Sequence, residues 1–405
     1  MGSFRLALRN LLRHKFRTGL TLMAIMFGVA GIILSGGFVR DMFIQLGEAL
    51  IHSQSGHLQI ARAGYFAKGS GQPETYPITD PETTRRLVAA LPLVDDVTAR
   101  LSFHGLLSNS RTDRPVVGEG VDPEREARLS TYMRMTSGRA LISSDRFGIM
   151  LGQGVAQTLN LAPGDRVNLL VNTTEGGLNT LEFDVVGVFQ TFSQEFDARA
   201  VRIALAAAQE LVGTLSATTL VVTLGRTEDT EAAAAGIRSR LQHDGFEVKT
   251  WTELSDFYGK TVTLYEQQFG VLQIIVLVMV LLGVANSVNI GVFERMGEFG
   301  TMMAMGNRGR DIFWLILAEN TLLGLAGAAF GVIAGVGLAM LVSSFGIPMP
   351  PPPNANLGYQ AYIRIIPGVV ALAFVAGAGA TFLAALIPAA RIARTPVVDA
   401  LRVNI

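Results

Sequence analysis

Residues 267–293 read QQFGVLQIIVLVMVLLGVANSVNIGVF and contain no Asp, Glu, Lys or Arg. The hydrocarbon core of a bilayer is about 30 Å thick and a helix rises about 1.5 Å per residue, so a run of this length can cross it. Three further runs meet the same criterion, at 18–39, 312–345 and 365–390. Glu319 is the only acidic or basic residue in the four runs. The sequence therefore predicts an α-helical membrane protein with four transmembrane helices in a 1+3 arrangement.

The composition agrees with a membrane protein. The chain has 405 residues, of which 49% are hydrophobic, and its mean hydropathy is +0.39. Lys plus Arg and Asp plus Glu both number 33, so the balanced charge gives no electrostatic argument for a nucleic-acid partner. The chain has no cysteine, which excludes thiolate catalysis, a cysteine-based zinc site and a disulfide framework.

The short flanks of the spans predict their orientation, because Lys and Arg are enriched on the cytoplasmic side. Arginines occur in the flanking segments 1–17, 294–311 and 391–405. The stretch 343–363, in contrast, carries no charge. We therefore expect both termini and the 294–311 loop in the cytoplasm, with 40–266 and the Pro-rich loop 346–364 outside.

Two alternatives stay open at the N-terminus. A basic start, an apolar run and the small residues Ser35 and Gly36 also fit a cleaved signal peptide. The run is longer than the usual signal core of about 7 to 15 residues, so we expect a retained anchor. Within 1–17, Leu8 and Leu12 at helical spacing fit an amphipathic helix on the inner leaflet, and a plain basic flank fits equally well.

The stretch 40–266 is polar, mixed in charge and interrupted by turn signals, so we expect it to fold in water as a large extracytoplasmic α+β domain. Asp80 followed by Pro81 predicts the start of a helix with Leu87 and Leu91 on one face. Strands are predicted at 166–171, 181–189, 219–223 and 246–251, and helices at 150–161, 204–212 and 228–241. The Gly- and Pro-rich stretch 64–77 predicts an exposed loop.

The sequence contains no convincing catalytic, cofactor or metal site. His52 and His57 are close together, but no Asp or Glu lies between them, so surface or packing roles are expected. The tripeptide GKT at 259–261 matches the end of a phosphate-binding loop, yet Leu254 occupies the position of its first glycine. We therefore interpret the outer domain as a binding or docking module.

Residues 294–320 read ERMGEFGTMMAMGNRGRDIFWLILAEN. This stretch resembles the cytoplasmic loop and following span of the ABC transporter permease family that includes MacB, FtsX and the lipoprotein-releasing LolC and LolE. The start RLALRNLLRHKFRTGLT, the end IPAARIARTPVVDALR and the run IMLGQGVAQTLNLAPGD at 149–165 resemble further segments of that family. The likeness thus extends over nearly the whole chain and is closest to the LolC/LolE type.

The resemblance implies that 294–311 forms a short coupling helix that rests on an ATPase. The family pattern falls on Glu294, Arg295, Glu298, Gly300, Met303, Ala304, Gly306, Arg308 and Arg310. Met303 is a departure, because the family usually has Arg at that position. The methionines of the loop offer an adaptable apolar face. The alternative is a surface helix that covers the ends of its own bundle.

The resemblance also implies a machine in which two permease subunits, identical or different, bind a pair of cytoplasmic ABC ATPases. ATP and Mg²⁺ would bind to those partners, so this chain would hold no cofactor and would not be an enzyme. The expected function is to couple ATP hydrolysis to the extraction or translocation of lipoprotein or another hydrophobic cargo. This would take place at the periplasmic side of the bacterial inner membrane. A periplasmic carrier or adaptor protein is a further expected partner. The alternatives are a MacB-like mechanotransmission exporter of macrolides or peptides with an outer-membrane channel, and an FtsX-like regulator of a cell-wall hydrolase.

The third predicted span, 312–345, contains two further features. A charge such as Glu319 is costly inside a bilayer, and the resemblance implies that it helps to hold the permease assembly rather than to relay protons. Gly327, Gly331 and Gly335 recur at every fourth residue and permit close helix contact, either within the chain or between subunits.

The proline run 348–353 prevents a helix and favours an extended segment. It is either a plain connector or, together with 354–362, a lip that meets the outer domain or the cargo.

Overall fold

The computed structural model describes residues 15–69, 71–242, 244–351, 356 and 358–396. The chain divides into two compact units. The helical unit contains Met1–Phe43, Thr261–Pro348 and Gln360–Ile405, and the mixed unit contains Ile44–Lys260 and Met349–Tyr359. The predicted amphipathic helix at 1–17 lies outside the described residues except for its last three, and so does the tail beyond residue 396.

The helices are α1 Lys15–Leu50, α2 Pro81–Ala89, α3 Pro123–Leu129, α4 Gln153–Leu159, α5 Gln194–Asp197, α6 Leu205–Val212, α7 Thr230–Arg240, α8 Trp251–Leu254, α9 Asp256–Glu294, α10 Met296–Ala304, α11 Gly309–Phe345 and α12 Pro367–Ala393. The strands are β1 Leu58–Arg62, β2 Val94–Ser108, β3 Asp113–Val121, β4 Arg134–Gly138, β5 Gly148–Gly152, β6 Arg166–Asn172, β7 Leu178–Gln190, β8 Ala200–Ala204, β9 Thr219–Leu224, β10 Phe246–Thr250, β11 Ile347–Met349 and β12 Tyr359–Ala361.

Four helices within the described part of the chain are long and apolar enough to cross a membrane. They are α1, α9, α11 and α12, which confirms the predicted 1+3 arrangement around an α+β domain. Helix α1 continues past the predicted limit at residue 39 as far as Leu50. The apolar stripe continues with it, because Phe43, Leu46 and Ala49 recur at helical spacing and are buried.

Glycines on α11 allow that helix to approach α1 closely. A Cβ atom on Gly331 would lie 2.7 Å from the Cβ of Val29, and one on Gly327 would lie 2.9 Å from the Cβ of Ile25. Gly335 lies against the same helix one turn further along. Of the two interpretations of this glycine stripe, the structure contains the contact within the chain.

The mixed unit is built on a ten-stranded sheet in the order β10-β1-β9-β2-β3-β8-β5-β7-β4, with β6 paired to both β2 and β7. Strand β2 changes partner along its length: it pairs with β9 through 94–100 and with β6 through 105–108. Strands β3 and β8 run parallel, as do β5 and β7. The antiparallel neighbours tie these parallel pairs into one sheet.

The two faces of the central strands differ in character. On β8, Val201 and Ile203 belong to a hydrophobic core that includes residues of α4 and α6. Arg202, between them, points to the opposite face and is fully buried there. A second hydrophobic core, with Ile60 and Ile237, lies between β1, β9 and the helices α2 and α7.

The Asp80 signal is confirmed, but the predicted face of its helix is wrong. Asp80 Oδ1 accepts a hydrogen bond of 3.1 Å from the backbone N of Thr83, as expected of an N-cap. Leu87 is 38% exposed, whereas Val88 is fully buried. The packed face is therefore the one that carries Thr84 and Val88.

The predicted helix at 150–161 is wrong over its first residues. Gly148–Gly152 is β5, between β7 and β8, and the helix is Gln153–Leu159. A short apolar run buried on both faces has no period that distinguishes a strand from a helix, so the neighbouring strands decide.

The stretch 64–77 is not simply an exposed loop. It contains a π-helical turn at Tyr65–Gly69 and a 3-10 turn at Pro73–Thr75, and Gly69 and Pro73 are buried. The other predicted strands and helices are present with shifted ends. The elements with no counterpart in the prediction are the strands β1, β2, β3, β4, β8, β11 and β12 and the short helices α3, α5 and α8.

Candidate functional site

Helix α10 lies in the loop between α9 and α11, where the sequence predicts a coupling helix. Its residues Met296 and Phe299 are 8% and 1% exposed and belong to the core of the helical unit. Glu298 and Thr301 lie on the exposed side, and Met305 just after the helix is 76% exposed. The helix thus has one face on the bundle and one face open to a partner.

An ion pair fixes the start of α10 to the next span. Arg295 Nη1 lies 2.7 Å from Glu319 Oε2 on α11, and Arg295 Nε lies 3.1 Å from Glu298 Oε2. The guanidinium also stands over the ring of Phe299, at 5.0 Å from its centroid. Glu319 therefore has a cationic partner in the adjoining loop, which the sequence does not reveal because the two residues are 24 positions apart.

The predicted coupling residues separate into two groups. Arg295 and Gly300 are buried in the bundle, and Met303 is half-buried. The exposed members are Glu294, Glu298, Ala304, Gly306, Arg308 and Arg310. Gly306 adopts a φ of +101°, which favours glycine after the end of α10. The exposed group lies on the outside of the helical unit, whereas Arg295 and Gly300 lie inside it.

A polar cleft opens beside this ion pair among α1, α9 and α11. Thr21 Oγ1 and Ser287 Oγ lie 2.5 Å apart across it. The other polar residues that line it are Thr18, Arg295, Glu319 and Asn320. Thr21 and Ser287 are two of several uncharged polar residues in their spans, so the sequence alone does not single them out as the lining of a cleft.

A second ion pair closes the opposite end of the helical unit. Asp41, two residues past the predicted end of the span on α1, is fully buried and lies 2.7 Å from Arg364 Nε. The same carboxylate accepts a hydrogen bond of 2.8 Å from the backbone N of Tyr362. The segment before α12 is thereby bound to α1, a contact that sequence reasoning missed.

Asn356, after the proline run, is bonded to α5 and to the segment before it, a contact of the kind that the lip interpretation expects. Asn356 Nδ2 donates to Asp197 Oδ2 at 2.6 Å, and Asn356 N donates to Phe192 O at 3.1 Å. Asp197 also accepts hydrogen bonds from the backbone N and the hydroxyl of Thr191. Burial raises the pKa of Asp197 above its ordinary value, although these hydrogen bonds act in the opposite direction.

His52 and His57 lie in a hydrogen-bonded cluster with Glu48 and Thr227. His57 Nε2 lies 3.1 Å from Thr227 Oγ1, and that hydroxyl donates to Glu48 Oε1 at 2.7 Å. His52 Nε2 lies 3.3 Å from Glu48 Oε2. Over the described ranges, no group of three or more His, Cys, Asp or Glu side chains could hold a metal ion.

Two family models match the chain. The model described as a MacB-like periplasmic core domain matches residues 18–240, and the model described as the FtsX-like permease C-terminal region matches residues 270–397. The chain belongs to the MacB/FtsX-like family of ABC transporter permeases. This permease is thus a multi-pass membrane protein with a periplasmic-type domain, and the catalytic domain of such a system lies outside its permease part. An ABC permease implies an ATPase partner.

The permease is similar to relatives that carry different names. The lipoprotein-releasing system transmembrane protein LolC of Neisseria meningitidis is 23% identical over 96% of this chain and 97% of its own length. The uncharacterized ABC transporter permease YvrN of Bacillus subtilis is 25% identical over 98% of both chains. The macrolide export ATP-binding/permease protein MacB of Hyphomonas neptunium is 25% identical over 98% of this chain, which spans 60% of that relative.

Among solved structures, the periplasmic region of MacB from Actinobacillus actinomycetemcomitans matches with 13% identity and a TM-score of 0.36. The match covers 50% of the permease and 92% of the solved chain.

Proposed function

We propose that this permease is the membrane subunit of an ABC complex in the bacterial inner membrane, with both termini and α10 in the cytoplasm. A pair of separate ATPase subunits, which bind ATP and Mg²⁺, would dock on the exposed side of α10, and a second permease copy or homologue would complete the assembly. The observation that carries this proposal is the two-sided burial of α10, with Phe299 packed inside and Met305 exposed. A docking surface needs both an outward face and a firm base.

The connections of α10 to the neighbouring helices α9 and α11 are suited to transmit movement. The helix is joined to α9 by a single residue, Arg295, and to α11 by a short turn. The Arg295–Glu319 pair adds a side-chain link to a point within α11, and Phe299 packs beneath the guanidinium. A displacement of α10 would therefore act on both neighbouring spans and would not be absorbed by a flexible loop.

Docking is tested by purifying the complex from membranes that contain the chain with Arg308 and Arg310 both replaced by Glu. Both arginines are exposed beside α10, so the replacements would weaken the ATPase interaction without changing the bundle. The variant should lose its co-purifying ATPase, and the double replacement of Arg146 and Arg166 by Glu, at two exposed positions in the mixed unit, should retain it. Equal ATPase recovery in both variants would contradict the docking surface.

For the cargo, we propose lipoprotein or another acylated or hydrophobic molecule taken from the outer leaflet. This is supported by smooth apolar surfaces on α1 and α9, where Phe27 is 66% and Met279 is 68% exposed. Both spans lack charge between 18–39 and 267–293. Such surfaces accept acyl chains without desolvating a polar group.

The cargo proposal is tested with a photoreactive amino acid at Phe27 in cells that incorporate a radiolabelled fatty acid. In membranes prepared from these cells, we expect crosslinks to acylated proteins, and these crosslinks should decrease when ATP and Mg²⁺ are added so that the partner can hydrolyse ATP. Leu338, on α11 and 43% exposed, is the matched control position. Equal crosslinking at both positions reflects bulk lipid and would contradict a cargo path along α1.

A second candidate function is MacB-like mechanotransmission, in which movement of the outer domain drives a periplasmic adaptor and channel that handle macrolides or peptides. It is supported by the match of residues 18–240 to the MacB-like periplasmic core domain. Recovery of an adaptor and an outer-membrane channel with the full chain, without acylated cargo, would favour it. Recovery of a cell-wall hydrolase would instead favour an FtsX-like regulator.

A further inference from the structure

A buried ion network lies in the mixed unit where α1 ends. It consists of Arg100 on β2, Glu119 on β3, Arg202 on β8 and Glu126 on α3. Arg202 is fully buried, Arg100 is 2% exposed and Glu126 is 3% exposed. Buried charges are costly unless they are paired, so a network of this size needs a reason.

The charges of the network compensate one another. Arg202 Nε lies 2.9 Å from Glu119 Oε2, and Arg202 Nη1 lies 3.1 Å from Glu126 Oε1. Arg100 Nη2 lies 2.7 Å from Glu126 Oε1. Burial by itself would raise the pKa of Glu126, but the charges of Arg100 and Arg202 outweigh it and hold that pKa below its ordinary value. Glu126 is therefore ionised at neutral pH.

The network also binds the end of α1. Helix α1 passes into the π-helical turn Ile51–Ser55, which closes on Gly56 with a φ of +64°. The last carbonyl groups of a helix have no partner inside it. Three consecutive carbonyls of this turn instead accept hydrogen bonds from residues of the mixed unit that are distant in sequence, two of them on the sheet. They are His52 O from Tyr132 N at 3.3 Å, Ser53 O from Arg202 Nη2 at 3.2 Å, and Gln54 O from Arg100 Nη1.

An arginine side chain can pair with a carboxylate of the network and bind a carbonyl group of the turn at the same time. Its guanidinium carries five N–H donors in a planar fork, so one side chain can hold a carboxylate and a carbonyl together. A cation at a helix C-terminus is also favoured by the helix dipole. A lysine would keep the charge but could not maintain the same set of contacts.

We propose that Arg100 and Arg202 are positioning residues that join α1 rigidly to strands β2, β3 and β8, so that ATP-driven movement of α1 moves the outer sheet. This inference rests on the proposed coupling function. Without the two arginines, Ser53 O and Gln54 O would lose their bonds to the sheet, so the turn at 51–55 would bend more easily and would pass on less of the movement of α1.

The test uses the full chain with its co-purified ATPase in nanodiscs of phosphatidylethanolamine and phosphatidylglycerol. The chain has no cysteine, so Leu215→Cys, at a position 82% exposed in the mixed unit, can carry a single environment-sensitive fluorophore. ATP with Mg²⁺ should change its emission. In Arg202→Lys, we expect unchanged ATP hydrolysis but a loss of about fivefold or more in the emission response. Hydrogen exchange should rise at 51–57 and stay unchanged in the core strand β7.

The matched control is Arg166→Lys, which alters an exposed pair with Asp184 at 3.3 Å on the same sheet. It should keep both ATP hydrolysis and the emission response. Arg100→Lys provides a second variant if Arg202→Lys does not fold. A response equal to the parent despite faster exchange at 51–57 would overturn the inference, and so would unchanged exchange there. A parent chain whose fluorophore does not respond to ATP would contradict the coupling function itself.

Discussion

Arg295 and Glu319 form a buried ion pair, with Arg295 Nη1 2.7 Å from Glu319 Oε2, at the corner where α10 meets α11. Each residue is 8% exposed. Arg295 immediately precedes the candidate docking helix, whereas Glu319 lies within a membrane-spanning helix. The pair therefore ties the proposed site of ATPase contact to the span that would move.

Replacing Glu319 by Gln should destabilise the helical unit, because Arg295 would remain buried with only the half-exposed Glu298 as a carboxylate partner. Breaking a buried ion pair in this way typically costs about 3 to 5 kcal/mol. Thermal unfolding in detergent measures the loss, followed by Trp314 fluorescence in a chain that carries Trp251→Phe.

The control for this prediction is Glu298→Gln, which removes the other carboxylate that contacts Arg295. The Glu298 side chain is 46% exposed, so we expect a cost of about 1 kcal/mol or less. If both variants unfold at the same temperature, the Arg295–Glu319 pair has no special structural role.

Replacing Gly331 by Ala should loosen the contact between α11 and α1. The new Cβ would lie 2.7 Å from the Cβ of Val29, and overpacking of this kind costs about 1 to 3 kcal/mol. At Gly337, on the same helix, a Cβ would meet no heavy atom within 4 Å, so Gly337→Ala should be neutral. Thermal unfolding of both variants measures their stability. An equal loss of stability in Gly337→Ala would show that Gly331 is not the site of the close contact.

The stability of the mixed unit should fall as the pH falls from 6.5 toward 4, because His57 is neutral in the fold. Burial, assisted by the nearby His52, lowers the pKa of His57 to about 4. Its Nδ1 accepts a hydrogen bond of 3.2 Å from Leu224 N, which requires an unprotonated nitrogen. In the unfolded chain, His57 has its ordinary pKa of about 6.5, so the unfolded chain takes up this proton first as the pH falls. The free energy of unfolding therefore falls between pH 6.5 and 4, by about 3 kcal/mol in total.

This pH dependence can be measured by urea unfolding of the full chain with Trp314→Phe. Of the two tryptophans, Trp251 then remains and reports on the mixed unit. His57→Gln should remove most of the loss between pH 6.5 and 4. A variant with the same pH profile as the parent would show that other groups control the acid sensitivity.

Replacing Asn356 by Ala should loosen the segment around residue 356 from α5, because Asp197 would lose a hydrogen-bond donor at 2.6 Å. Hydrogen bonds to charged groups contribute about 1.5 to 3 kcal/mol, so protection from proteolysis in this loop should fall by more than tenfold. Gln360→Ala, at an exposed position whose amide contacts Tyr362, is the control. Equal protection of the parent and the Asn356 variant would contradict an anchored loop.

The sequence predicts the spans well because length, apolarity and flanking charge act locally. The end of α1 is harder to predict from the sequence, because only the burial of Phe43, Leu46 and Ala49 shows that the apolar side of the helix continues. In the mixed unit, β5 is read as a helix because Ile149, Met150 and Leu151 are apolar without alternation. Its identity as a strand depends on β7 and β8, which are distant in sequence.

The candidate coupling residues follow the same division. A family pattern identifies Arg295 and Arg308 alike, but the structure buries the first and exposes the second. The partner of Glu319 and the contacts of Arg202 join residues that are far apart along the chain. No local pattern contains such pairs, so the ion networks could not be predicted from the sequence.

The most direct test of the central claim is the side of the membrane on which α10 lies. Met305→Cys and Leu215→Cys place single cysteines at positions that are 76% and 82% exposed in a chain without native cysteine. An impermeant maleimide added to intact spheroplasts should label the cysteine at 215 and not the one at 305, which should react only after permeabilisation. Labelling at 305 in intact spheroplasts would contradict a cytoplasmic docking helix and the coupling function built on it.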